Sequence, residues 1–169
     1  MKRRLFTQSA LAALLATGAV AITGCGFKLR GSFTYAFKTL YSGFVETSTL
    51  GNEFKRVLAT DSALTLVTTA EKAQVVLDVI SEQREKVVVG ITSSGQVREF
   101  QLRIRMKFRL RTPAGKEIIP ETELLVQRDV SFNETAVLAK ENEEAVLYRD
   151  MQTDMVQQLL RRLSAIKEL

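Results

Sequence analysis

Apolar and polar residues recur along this chain with two periods, one typical of strands and one typical of helices. Helical spacing covers residues 48–59, behind Ser48 or Thr47 as a candidate N-cap, and residues from 133 or 135 to 166. The later segment has an apolar stripe at steps of three and four, which consists of Tyr148, Met151, Met155, Leu159, Leu163 and Ile166. Such a stripe is typical of a helix that packs on a core, so the pattern predicts two helices that each bury one face.

Four segments have the β-branched, aromatic or alternating pattern of strands. The predicted strands cover residues 39–45, 75–91, 97–112 and 124–132. We expect a bulge in the second strand, where two β-branched segments flank a polar stretch, and turns at residues 93–95 and 113–115. The predicted fold is α+β in the order β-α-β-β-β-α, with two helices packed on one face of a four-stranded sheet.

The first 24 residues have the composition of a secretory signal rather than of a folded domain. Lys2, Arg3 and Arg4 precede an uncharged run over residues 10–22, which is too short for a membrane-spanning helix of about 20 residues. The run is followed by two small residues and then by Cys25, the single cysteine of the chain. This arrangement is similar to a bacterial lipobox.

The resemblance to a lipobox implies cleavage before Cys25, a thioether-linked diacylglycerol on its sulfur and an acyl chain on its new amino terminus. Several acyl chains hold a protein on a membrane without spanning it. The residue after Cys25 is Gly26 rather than Asp. By resemblance to enterobacterial lipoproteins, this favours the outer membrane over retention at the inner membrane. The alternative is that Cys25 is an ordinary buried thiol. The predicted organisation is a cleaved lipoprotein signal peptide over residues 1–24, a lipidated tether over residues 25–32 and a single domain over residues 33–169.

The third predicted strand alternates without exception between apolar and basic residues. One face consists of Leu102, Ile104, Met106, Phe108 and Leu110, and the other consists of Arg103, Arg105, Lys107, Arg109 and Arg111. Residues on one face of a strand lie about 6.6–6.8 Å apart, so the five cations form a row that we call the basic ladder. The planar fork of Arg donates two parallel hydrogen bonds to phosphate or carboxylate. The basic ladder is therefore a candidate anion-binding surface.

The sequence leaves two interpretations of the basic ladder open. It is either a surface that contacts an anion or a partner, or a solvated face whose cations pair with carboxylates on flanking strands. The candidate carboxylates are Glu82, Glu85, Glu123 and Asp129. Nucleic acid is not expected as the partner, because the ladder face lacks the aromatics of a stacking platform and export removes the protein from most nucleic acid.

Composition narrows the chemistry further. The 169 residues include no His, no Trp and one Cys, so a Ser-His-Asp triad, a Cys-His pair or a Cys/His zinc site cannot form, and we expect no metal and no cofactor. The formal charge of +5 is distributed unevenly. Residues 1–24 carry three cations, residues 98–111 carry six cations and one acid, and the remainder carries 15 cations and 18 acids. Positive charge is thus concentrated on one strand.

Motifs at both ends of the predicted mature chain resemble a known family. Residues 25–31 read CGFKLRG, and residues 138–144, 147–151 and 157–163 read LAKENEE, LYRDM and QQLLRRL. The first motif is similar to the start of the mature LptE proteins, a family of lipopolysaccharide (LPS) assembly lipoproteins, and the others are similar to the C-terminal signature of that family. The order of predicted elements also agrees, so the resemblance covers essentially the whole mature chain.

The resemblance implies a lipoprotein, not an enzyme, that sits as a plug inside the outer-membrane β-barrel LptD, assists assembly of that barrel and binds LPS on its way to the cell surface. Lys140 corresponds to the lysine of the family's Leu-Ala-Lys segment, which is implicated in LPS binding. A cation in the first turns of a helix opposes the helix dipole, which favours such a use, whereas an ion pair with Glu143 or Glu144 is the alternative. Some relatives have an arginine at the hairpin, where this chain has Ser93 and Ser94.

Two other functions remain as alternatives. One is a different outer-membrane lipoprotein that binds another periplasmic polyanion or an envelope partner without a barrel. The other is a small hydrolase that uses carboxylates such as Glu82 and Glu85, which the missing His and the lack of a Gly-rich or Ser-elbow motif disfavour. From the family resemblance we expect an outer-membrane, lipid-anchored protein that faces the periplasm or lies inside a barrel lumen. We expect the basic ladder and Lys140 to contact LPS or the barrel.

Overall fold

The computed structural model describes residues 33–60, 63–133 and 137–169. The predicted signal peptide, Cys25 and the tether up to residue 32 lie outside the described residues, as does position 135, one of the two predicted starts of the last helix. The domain over the described residues is α+β.

A mixed sheet of five strands forms one layer of the domain. Its strands are β1 (Thr39–Ser42), β2 (Thr65–Val67), β3 (Val75–Ile91), β4 (Val97–Arg111) and β5 (Glu117–Ser131), in the spatial order β2-β1-β3-β4-β5. The predicted sheet had four strands, and the additional strand is β2, which pairs in parallel with β1. Its three residues are too few to show a period in the sequence.

Two helices form the second layer. Helix α1 covers Thr49–Ala59 and helix α2 covers Val137–Ser164, and a single 3₁₀ turn covers Ala70–Lys72. Both helices bury one stripe. The buried residues of α2 include Tyr148, Met151, Met155, Leu159 and Leu163, as predicted. Ile166, the sixth residue of the predicted stripe, lies beyond the helix end at Ser164 and is half-buried. The buried residues pack on the apolar face of β4, whose five predicted members are at most 3% exposed. The α+β fold with two helices on one face of a sheet is therefore confirmed.

Strands β3, β4 and β5 form a long antiparallel meander that carries most of the sheet. The predicted bulge in β3 is present, since its register against β4 shifts between Val79 and Ser81. A turn with Gly95 at φ 83° joins β3 to β4, and this left-handed conformation favours glycine. Strand β5 begins at Glu117, well before the predicted residue 124. An edge strand tolerates Pro120 because its missing N–H faces no neighbouring strand.

The start of α1 is fixed by a cap and by a close approach. The Ser48 hydroxyl accepts the N–H of Gly51 at 2.8 Å, which confirms Ser48 as the N-cap, and it donates to Glu82 at 2.6 Å. A Cβ on Gly51 would lie 2.6 Å from Cβ of Phe44. The glycine that weakens the first turn in terms of propensity is therefore required by packing.

The second face of the meander is not covered by either helix. Alternation places the basic ladder on this face, opposite the apolar row that packs on α2, and the ladder side chains are half-buried or exposed. Searching the described helices for a segment that is both long and apolar enough to cross a membrane gives none.

Candidate functional site

The basic ladder forms a row of charge on the uncovered face of the sheet. We call each cation of the ladder a rung. Strand β4 fixes the position of each rung, because the apolar residues that alternate with the rungs are buried and hold the strand against the helices. Arg105 Nη1 lies 2.5 Å from Glu123 Oε1 on β5, and Lys107 Nζ lies 3.9 Å from Glu121 Oε1. These cations are therefore paired across the strands and are not free.

Asp78 on β3 binds the far end of the ladder. Its carboxylate accepts a hydrogen bond from Arg109 Nε at 2.9 Å and one from Arg111 Nε at 2.7 Å. Burial of the Asp78 carboxyl favours the neutral form, but the hydrogen bonds from Arg111 and Arg109 outweigh it and lower the pKa of Asp78. The same contact raises the pKa of Arg111. One carboxylate thus links two rungs of the ladder and stays charged.

Arg103 has a different environment from the other rungs. Its Nε donates to the side-chain oxygen of Gln101 at 2.7 Å, and Gln101 in turn donates to Asp129 at 2.7 Å. Glu85 is the residue of β3 in register with Arg103. Within the described part of the chain, Arg103 forms a hydrogen bond to an amide and no ion pair.

The structure brings some of the predicted carboxylate partners to the ladder and not others. Glu123 pairs directly with the ladder, and Asp129 joins it through Gln101. Glu82 is in register with the buried Met106 and therefore lies on the helix-covered face, so its assignment as a ladder partner was wrong. The sequence analysis missed Asp78, although it is the single acid in an apolar segment, and it missed Glu121.

Lys140 lies on the other side of the sheet from the basic ladder. Its Nζ is 2.8 Å from Glu143 Oε2 and 3.2 Å from Ser131 Oγ. The predicted alternative of a pair with Glu143 is therefore present, while Glu144 binds Lys86 at 2.6 Å. The structure does not bring Lys140 and the basic ladder together into one site.

A small cleft surrounds Lys140 between the start of α2 and the end of the hairpin. Its volume is about 70 Å³. The lining residues include Lys86, Phe100, Phe132, Val137 and Lys140. Lys86 Nζ lies 4.4 Å from the centroid of the Phe100 ring, and Phe132 packs edge-on against Phe100 at 5.2 Å. Two amines thus lie beside an aromatic wall, and the sequence analysis did not select Lys86 because it lies in the polar stretch of β3.

The chemistry that these residues offer is recognition through charge and hydrogen bonding. The whole sequence has no His, and the residues that the structure describes contain no group of three or more metal-ligating side chains. The geometry defines a helix-on-sheet domain with one uncovered, ion-paired face and a separate lysine cleft.

The chain belongs to the LptE family, described as lipopolysaccharide-assembly, whose model matches residues 37–163. The family resemblance seen in the sequence is therefore confirmed. The chain is 29% identical to the LPS-assembly lipoprotein LptE of Pectobacterium atrosepticum over 170 aligned positions, covering 98% of this chain and 88% of that protein. It is also 29% identical to the protein of the same name from Yersinia enterocolitica, covering 90% of this chain and 74% of that protein.

Solved structures show the same fold. The solution structure of an uncharacterized lipoprotein B from Nitrosomonas europaea is 36% identical, with a TM-score of 0.70 over 83% of this chain and 91% of that chain. The crystal structure of the rare lipoprotein B from Shewanella oneidensis is 20% identical, with a TM-score of 0.65 over 76% of this chain and 95% of that chain. The second likeness supports the fold alone.

Proposed function

We propose that this protein is an outer-membrane lipoprotein that acts as plug and assembly partner of the LptD β-barrel, binds LPS and aids its delivery to the outer leaflet. The observation that carries the proposal is the family match over residues 37–163. The relatives named LPS-assembly lipoprotein LptE align over nearly the whole chain, so the match includes both the sheet and the final helix.

The shape of the domain is consistent with a plug. The lumen of an outer-membrane barrel is polar, and the uncovered face of β3, β4 and β5 presents a row of paired charges. In this proposal the lipid chains on Cys25 hold the protein at the membrane, and the domain itself remains in water or in the lumen. The protein then acts by binding and performs no covalent chemistry.

We assign LPS contact to the cleft that holds Lys86 and Lys140. Both lysines have ammonium groups that can donate to phosphate, and Phe100, Phe132 and Val137 give the cleft an apolar wall. Both ammonium groups are paired with carboxylates on α2, at Glu144 and Glu143. A phosphate would therefore bind beside lysines that already form ion pairs with carboxylates.

The test of the proposed function is purification of the tagged full chain from outer membranes. We expect a large β-barrel protein to be recovered at about one copy per copy of this chain, together with LPS. Recovery of no such barrel under conditions that preserve other outer-membrane complexes contradicts the proposal. Recovery of another polyanion without a barrel supports the alternative of a different envelope lipoprotein.

A further inference from the structure

One end of the domain, which we call the base end, is where the chain enters its first strand and leaves its last helix. Strands β1 and β3 begin there in parallel register, and antiparallel pairing places the end of β4 and the start of β5 beside them. Helix α2 also ends there, because Arg162 and Lys167 line one groove with Ile118 and Ile119 of β5. The opposite end of the meander is the turn that contains Gly95, and the lysine cleft lies toward that end.

The base end carries exposed cations that the domain itself does not pair. Over the described ranges their ammonium and guanidinium groups form no ion pair and no hydrogen bond, whereas four rungs of the basic ladder and both lysines of the cleft bind carboxylates. The acidic side chains of the same segments are Glu117 and Glu168. Positive charge is therefore in excess at this end. The cations are Lys38, Lys116, Arg161, Arg162 and Lys167.

The end of a helix explains only part of this set. The dipole of a helix favours cations in its last turn, which accounts for Arg161 and Arg162 of α2. Lys38 precedes β1 and Lys116 lies in the turn before β5, so neither belongs to a helix. Cations from separate segments thus collect at one end of the fold.

The groove between α2 and β5 places apolar side chains next to two of these cations. Its volume is about 480 Å³. Ile118, Ile119 and Ile166 are half-buried in it, while Arg162 and Lys167 line it and are exposed. Peripheral proteins use apolar side chains beside cations to bind the boundary between lipid headgroups and acyl chains.

We propose that the base end binds the phosphate headgroups of anionic phospholipids and so stands the domain upright on the membrane before a barrel forms around it. The contact rests on the lipid anchor of the proposed function. Cys25 and Phe33 are eight residues apart, so the chain between them reaches at most about 29 Å. The 17 residues of β3 span about 56 Å. The anchor therefore keeps the start of the domain close to the leaflet, where cations strengthen binding to an anionic surface.

Vesicle binding tests this contact in the absence of both a barrel and LPS. The mature chain, residues 25–169 with Cys25→Ala, contains the whole described domain and carries no acyl chain, so only the protein surface can bind. It is sedimented with vesicles of phosphatidylcholine alone and with vesicles of equal parts phosphatidylcholine and phosphatidylglycerol. We expect at least tenfold stronger binding to the anionic vesicles, and a loss of that difference at high salt because salt screens exposed charges.

A variant of the groove locates the contact. Arg162→Gln combined with Lys167→Gln should weaken binding to the anionic vesicles at least fivefold. The matched control is Arg98→Gln combined with Arg149→Gln, which removes the same charge from two exposed arginines away from the base end. These arginines also have no ion pair among the described residues. The control should stay within twofold of the parent chain, and both variants should keep the affinity of the parent chain for purified LPS.

Equal binding to the two kinds of vesicle overturns the proposal, and so do equal losses in the groove variant and its control. A parallel loss of LPS affinity in the groove variant also overturns it, since the base end would then bind the phosphates of LPS. Circular dichroism reports folding. If the groove variant does not fold, Lys38→Gln combined with Lys116→Gln, outside both helices, takes its place with the same expected loss. Recovery of the barrel is measured separately, so failure of this contact leaves the proposed function standing.

Discussion

Asp78 is the residue on which two rungs of the basic ladder depend. Its carboxylate accepts hydrogen bonds from Arg109 and Arg111, and these outweigh the effect of burial on its pKa. A lowered pKa in the folded protein contributes stability above the unfolded-state value of about 3.9, and this contribution is lost as pH falls through the folded-state pKa. The ladder therefore has one acid-sensitive point.

We predict that Asp78→Asn lowers the free energy of unfolding by about 1 kcal/mol at pH 7, because both arginines lose a charged acceptor on a partly exposed face. The deficit should shrink at pH 3, because the Asp78 carboxyl of the unfolded wild-type chain, with a pKa of about 3.9, is largely protonated there and this stabilises the unfolded state. Urea denaturation of the mature chain at both pH values measures the difference.

Asp129→Asn is the matched control for Asp78, since Asp129 accepts one hydrogen bond, from Gln101, rather than bonds from two arginines. Its effect at pH 7 should be less than half that of Asp78→Asn. An Asp78→Asn deficit that is equal at pH 7 and pH 3 would show that the loss comes from packing and not from the charge.

Lys140 is the residue that tests the cleft independently of the ladder. We predict that Lys140→Ala weakens LPS binding roughly tenfold, which corresponds to the loss of one charge-assisted hydrogen bond. Its pair with Glu143 spans i,i+3 on the helix surface, so the cost in stability should be only about 0.2–0.5 kcal/mol.

Lys55→Ala on α1 is the control for Lys140, because Lys55 is a helical lysine that is exposed and lies outside the cleft, whereas Lys140 is half-buried in it. It should leave the affinity for purified LPS unchanged. Equal losses of affinity in the two variants would show that LPS is attracted to any surface cation and not to the cleft. Wild-type affinity in Lys140→Ala would show that Lys140 is not part of the proposed site.

At the scale of elements, the sequence predicted what depends on local periodicity. The alternation in β4 and the apolar stripe of α2 were read correctly because burial on one side requires a period of 2 or 3.6. A bulge in β3 was predicted from the polar stretch between two β-branched segments, and the structure places it between Val79 and Ser81. Strand β2 was missed because three residues beside β1 show no period, and the start of β5 was missed because Pro120 is disfavoured in strands unless they lie at an edge.

The candidate site was less predictable than the fold, because it depends on pairs between strands. A strand pattern places Arg109 and Asp78 on a face but does not give their register, and the shift between Val79 and Ser81 decides which residues of β3 lie beside which rungs. For this reason Glu82 was assigned to the wrong face. Glu143 was one of the two predicted partners of Lys140, with Glu144 as the other, because i,i+3 and i,i+4 pairs on a helix need no tertiary information.

At the scale of the whole molecule, charge is distributed unevenly both along the chain and between the two sides of the sheet. The sequence shows that positive charge outside the leader is concentrated in residues 98–111, and the structure shows that acids on β3 and β5 neutralise this row. The two lysines of the cleft lie on the opposite side of the sheet. In the proposed function, the anionic ligand contacts this cleft.

Attachment to the membrane is the remaining property of the whole molecule, and it depends on a residue outside the described part. We predict that Cys25→Ala gives an unacylated chain that is released from membranes by salt or mild washing, since several acyl chains at about 0.8 kcal/mol per buried CH₂ account for stable anchoring. Metabolic labelling with a fatty acid and fractionation of the envelope measure both effects, with Ser93→Ala as a control that leaves labelling intact. Labelling of the Cys25→Ala chain would place the lipid elsewhere. Tight retention of an unlabelled chain would instead show that the barrel, rather than the lipid, holds the protein at the outer membrane.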